Sequence, residues 1–279
     1  MQATATRVAQ RERSEQARAR AMVRFNGLLF HCLAAASFLE TSVPLQVNRL
    51  SRAFAARPDA GLWLEQVWWP QRAALGRRLR GYLEATWPEF DWNAAYKEFY
   101  ESYRRPRPGR DGREAGAALE ALGLCAAAAQ AAVLYRTLAR CADEPALRAL
   151  AREAAAEHAG YFGHFRALFE CCKREERVGL VAGWRTVRAA CRSARDFDAR
   201  AAFEPLGRHW SGAPTVPGLD YGEFRARMVP LVQRHAGLGR IECLLFRPWL
   251  ERERPVPVPQ VPESRPERRL SLAPRLAAA

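Results

Sequence analysis

The sequence predicts an all-α protein, an up-down helical bundle with additional C-terminal helices. Almost every long segment repeats its apolar residues at helical spacing, and no stretch alternates with the period of two that a half-buried strand requires. Of the 279 residues, 49% are hydrophobic, enough for a sizeable core, and residues 25–250 show neither an internal repeat nor a break in composition. One helical domain is therefore expected over 25–250, preceded by a basic segment at 1–24 and followed by a Pro/Arg-rich, disordered tail at 251–279.

The first helix is expected from about Val23 to Phe54, with Leu29, Leu33, Ala36, Val43, Val47 and Leu50 on one stripe. Glu40 falls inside that stripe, and Pro44 should kink or break the helix. A second helix, about Leu62 to Thr86, turns Leu64, Trp68, Leu75, Leu79, Tyr82 and Leu83 inward and ends at "WPEFDW", where Pro88 disfavours helix at Trp87. A shorter helix spans Trp92 to Tyr103. The third long helix, about Glu114 to Cys141, is so rich in alanine that a neighbour can approach closely. Asp143 and Pro145 read as the cap and first turn of a fourth long helix reaching about Lys173, followed by shorter helices at Val178 to Ala194 and Tyr221 to His235.

Charge and cysteine usage narrow the function classes. The formal charge is +14; residues 1–24 carry +4 and residues 251–279 carry +2, leaving about +8 in the core. No nucleic-acid motif accompanies it, so nucleic acid is disfavoured and an acidic protein partner is the better fit. The seven cysteines lack metal-ligand spacing and read as buried thiols in a reducing compartment. No uninterrupted apolar run approaches the roughly 20 residues of a membrane span, and no secretory signal is recognisable, so a cytoplasmic protein is expected. Phosphate-loop, dinucleotide and nucleophile-elbow motifs are absent.

Polar residues planted in the inner stripes of four long helices are the frame on which ferritin-like di-iron proteins build their sites: Glu from one helix of each pair and Glu-x-x-His from the other. "ALGRRLRGYL" and "RALAREAAAEHAGYFGHF" resemble the two metal-binding helices of that superfamily, closest to the acyl-carrier-protein desaturase branch, and the resemblance covers about residues 25–240. It implies a ferritin-like bundle with most ligands replaced. Glu40 matches the first-helix Glu. The first Glu-x-x-His falls on Arg72 and Leu75. The third-helix Glu belongs near Ala128 to Gln130, where no carboxylate stands. The second Glu-x-x-His falls on Glu157 and Gly160, or, in a shifted alignment, on Ala155 and His158. Near two ferrous ions an arginine at position 72 would repel metal; it is expected instead to pair with Glu40 or Glu157.

Glu157, His158, Tyr161 and His164 form the densest polar cluster on any inner face, and Glu157, Tyr161 and His164 share one side of their helix. The reading that follows is a degenerate, non-catalytic binding or assembly protein with no cofactor. Its expected partners are an acidic protein such as an acyl carrier protein, or a second copy of the chain. Two alternatives stand beside it: a metal-dependent oxidoreductase acting on an acyl or other apolar substrate, with iron held by Glu40, Glu157, His158 and His164; and a heme-oxygenase-like bundle with His31 as ligand.

Overall fold

A computed structural model describes residue 14 and residues 18–105 and 116–235. Among these the chain is mostly helical and contains no strand; one isolated bridge pairs Phe90 with Trp210. The expected all-α class holds. In order come α1 (Arg18–Arg24), α2 (Gly27–Thr41), α3 (Pro44–Ala53), α4 (Pro58–Trp63), α5 (Trp69–Thr86), α6 (Trp92–Tyr103), α7 (Ala117–Cys141), α8 (Pro145–Glu176), α9 (Leu180–Ser193), α10 (Arg200–Phe203) and α11 (Tyr221–His235). The tail at 251–279, most of the segment at 1–24 and the expected start at Glu114 lie outside the described residues.

Local chemistry explains the boundaries, including those the sequence reading misplaced. The expected single helix from Val23 to Phe54 is three pieces. Asn26 starts α2 afresh by accepting the Leu29 N–H at 3.1 Å, turning it 83° from α1, and Pro44 opens α3 after the chain leaves α2 at Ser42. The expected helix from Leu62 to Thr86 instead begins at Pro58 and passes through a π-helical turn, Leu64–Trp68, before α5. Pro70 has no N–H to give the preceding turn and its ring crowds a carbonyl there, so the widened turn relieves both problems. The cap of α8 is Glu144 and not Asp143. The Glu144 carboxylate accepts the Leu147 N–H at 2.9 Å and the Tyr82 hydroxyl at 2.8 Å, tying the start of α8 to α5.

The helices α7 and α8 form the most extensive pair, and α2 and α5 the next. Both pairs are antiparallel. Phe30, near the start of α2, packs edge-on against Trp87 just past the end of α5, whereas Gly76 in α5 lies against Glu40 and Thr41 at the other end of α2. The start of α7 meets the end of α8, where the Ala118 N–H reaches the Glu176 carboxylate. One long connection containing α6 links the pairs. Gly76 sets the α2–α5 approach: a Cβ there would lie 2.6 Å from Thr41 Oγ1 and 3.1 Å from Thr41 N. Gly76→Ala is therefore expected to cost roughly 2 kcal/mol in urea unfolding, as overpacking does; an unchanged midpoint would show that the crossing opens freely.

Two apolar clusters lie along the bundle. One gathers Phe30, Phe38, Leu75, Leu79, Trp87, Phe99 and Tyr135, among others; the other gathers Val43, Leu50, Leu64, Trp68, Ala128 and Phe165. Glu40, Arg72 and His158 stand between them as a polar layer. The helix α7 corrects the expectation about apolar runs: it is long and apolar enough to cross a membrane by length and composition, because alanine is mildly apolar and charges are few. Half of its apolar window is buried inside the bundle, as in the core helix of a folded domain.

Candidate functional site

Four side chains, one from each long helix, meet in the polar layer. Glu40 of α2 is the hub and is 3% exposed. From α5, Arg72 Nε donates to Glu40 Oε2 at 2.5 Å. From α7, the Tyr135 hydroxyl donates to Oε1 at 3.0 Å, and from α8, His158 Nε2 lies 3.0 Å from the same oxygen. Of the two partners the sequence offered Arg72, the structure chooses Glu40. Arg72 also lies over the Trp68 ring at 5.3 Å, and Tyr135 stacks on His158 with ring centroids 5.4 Å apart.

The charges in this layer are fixed by one another. Burial pushes the Glu40 carboxyl upward, but the Arg72 guanidinium and His158 together outweigh it and hold Glu40 down at about 2. Burial opposes charge on Arg72, and Glu40 more than restores it. Tyr135 is pushed well above its ordinary range, first by burial and then by the Glu40 charge. Since the Glu40 carboxylate can only accept, His158 Nε2 carries a proton and donates it.

Three buried atoms on one turn of α8 have no protein hydrogen-bond partner: Glu157 Oε2, His158 Nδ1 and the Tyr161 hydroxyl. An unpaired buried polar atom costs about 1–3 kcal/mol, so these atoms form the part of the layer suited to water or another small hydrogen-bonding molecule. Burial raises the Glu157 carboxyl above its ordinary value, against the pull of Arg78, and raises Tyr161 as well.

The remaining sequence candidates scatter. Glu157 turns toward α5, where its Oε1 lies 3.8 Å from Arg78 Nη1. His164 stacks on Trp63 with centroids 3.6 Å apart, and burial lowers its pKa. Leu75 belongs to the first apolar cluster and Ala128 to the second; Gln130 donates to Ala126 O and lies 3.6 Å from Cys191 on α9; Gly160 is exposed. Glu40, Glu157, His158 and His164 are thus not assembled around one point, and among the described residues no three His, Cys, Asp or Glu side chains are placed to hold a metal ion. His31 Nδ1 donates to Gly27 O (2.7 Å), and the ring stacks on Phe203 at 4.7 Å and meets Phe30 edge-on, so packing occupies it.

Tyr135 is the member that sequence reasoning missed. Its signal was spacing: seven residues beyond Ala128 is the same helix face two turns on, but the search there was for a carboxylate. Comparison of the chain with protein-family models, with curated proteins and with solved structures returns no match.

Proposed function

We propose that this protein is a ferritin-like helical bundle acting as a non-catalytic binding or assembly protein, in which an ionic layer stands where the di-iron family carries its metal. The observation that carries this reading is the Arg72–Glu40 pair, closed by Tyr135 and His158 so that α5, α7 and α8 each supply one side chain to the carboxylate from α2. Two antiparallel pairs joined by one long connection, with a polar site built from facing helices, also support the ferritin-like frame.

The residues present do not fit two irons. Leu75, Ala128 and Gly160 offer no ligand atom, Glu157 is drawn to Arg78, and the cation of Arg72 takes the one wholly buried carboxylate of the layer. A metal ion arriving at Glu40 would meet that positive charge in a medium of low dielectric. What the layer does offer is a fixed carboxylate and, beside it, His158 Nδ1 and the Tyr161 hydroxyl as contacts for a small polar ligand. The basic surface would suit an acidic protein partner, an acyl carrier protein being one with that chemistry.

Anaerobic reconstitution of the full chain with ferrous iron, followed by elemental analysis, tests the proposal. The expected result is far less than one iron per chain, with the helical spectrum intact. Two irons per chain would overturn it and make an oxygen-activating oxidoreductase the leading reading.

A further inference from the structure

We propose that the outward face of α9 docks on an anionic lipid surface, a binding role independent of the polar layer inside the bundle. One side of α9 is spoken for by α7: a Cβ on Gly183 would lie 3.4 Å from Leu122 Cδ2, and Thr186 faces Gly123. The other side opens with Leu180, Val181 and Trp184, which are 90%, 64% and 46% exposed and lie within about one turn of the helix start. They are the largest cluster of exposed large apolar side chains in consecutive turns of any described helix, and scattered single exposures would not need explaining whereas this group does.

The same side carries the charge. Arg185, Arg188 and Arg192 of α9 are exposed, and no ion pair is formed by any of them among the described residues. No Asp or Glu occurs between Glu176 and Asp196. Arg188 lies over the Trp184 ring at 5.1 Å, so the cation and the indole occupy one patch.

An apolar tip with a tryptophan, flanked by unpaired arginines along one helix face, matches the polarity profile of a membrane interface. The aliphatic groups enter the acyl boundary, the indole sits at headgroup level, and each guanidinium meets lipid phosphate or carboxylate. Two features favour lipid over an acidic protein. Leu180 projects almost wholly into solvent at the helix start, which a deformable surface accepts without a pocket made to fit it. The arginines also run to Arg192 without an intervening carboxylate, a uniform row that matches an extended field of one sign rather than a local set of partners.

The experiment is co-sedimentation of the full chain with vesicles of phosphatidylcholine and phosphatidylserine, about 7:3, against vesicles of phosphatidylcholine alone. Binding to the mixed vesicles is expected, weakening as salt is added. Leu180→Ser with Trp184→Ser, and separately Arg185→Glu with Arg188→Glu, should each weaken it at least about tenfold. All four residues are exposed, and an unchanged thermal melt confirms that the variants fold. No binding to mixed vesicles, or equal binding by both variants, overturns the proposal. So does concentration-dependent self-association that Trp184→Ser abolishes while vesicles go unbound, which would assign the face to a second copy of the chain.

Discussion

Arg72→Ala is expected to destabilise the protein by about 3–5 kcal/mol, the loss that follows when one partner of a buried ion pair is removed and the other charge is left behind. Glu40 would remain buried between two apolar clusters, with only the Tyr135 and His158 hydrogen bonds to hold its charge. The pH dependence gives a second reading of the same interaction. Glu40 sits at about 2 in the folded protein against an ordinary 4.5, a depressed value. Its contribution is therefore fully present above about pH 4.5 and is lost as pH falls from there toward 2; the shift corresponds to about 3 kcal/mol. Without Arg72, burial dominates and the carboxyl rises, so wild type and variant should converge in stability as the solution is acidified through that window. Arg72→Met combined with Glu40→Gln should recover more than half of the loss, because no charge is then stranded and the amide still meets Tyr135 and His158. Urea unfolding across pH measures all three proteins. A loss below about 1 kcal/mol for Arg72→Ala would show that the pair is not what keeps Glu40 in the core.

Trp68→Ala is the second large effect, at about 3–5 kcal/mol. Trp68 is among the largest fully enclosed side chains of the molecule, edge-on to Phe165 at 5.9 Å and beneath the Arg72 guanidinium at 5.3 Å. Its removal opens a cavity in the second apolar cluster and takes away the aromatic face that covers Arg72. The π-helical turn that ends at Trp68 makes the residue hard to replace: the added residue in that turn sets the angle at which Trp68 and, one turn later, Arg72 enter the bundle. Trp68→Phe should keep much of the stability, and comparison of the two variants by denaturant titration separates cavity from geometry. A loss as small as 1 kcal/mol for alanine would mean that α4 and the π-turn collapse into the space.

The candidate site was legible in part. Glu40 stood out because it falls inside an apolar stripe, and Arg72 because the resemblance to the di-iron helices set it at a ligand position where its charge would need a carboxylate partner. His158 was named as one of a cluster, but its partner lies 118 positions earlier in the chain. Glu157 and His164 were read with it on a shared side of α8. The structure sends Glu157 to Arg78 and His164 to Trp63, since a helix face fixes a direction and the neighbouring helix decides what is met there. Tyr135 was missed for the same reason: on α7 it is one more aromatic at helical spacing until Glu40 is placed opposite it.

By itself the sequence determined the all-α class, the break at Pro44, the limits of α6, the start of α11, and the isolation of a few charges within apolar stripes. These depend on residues near one another in the chain, through periodicity, caps and proline chemistry. Tertiary structure decided which charges meet, where the polar layer lies between two apolar clusters, and which side of α9 is left to solvent. Each of those depends on packing between segments far apart in sequence, where one burial cost is set against one partner's charge and no local pattern records the pairing.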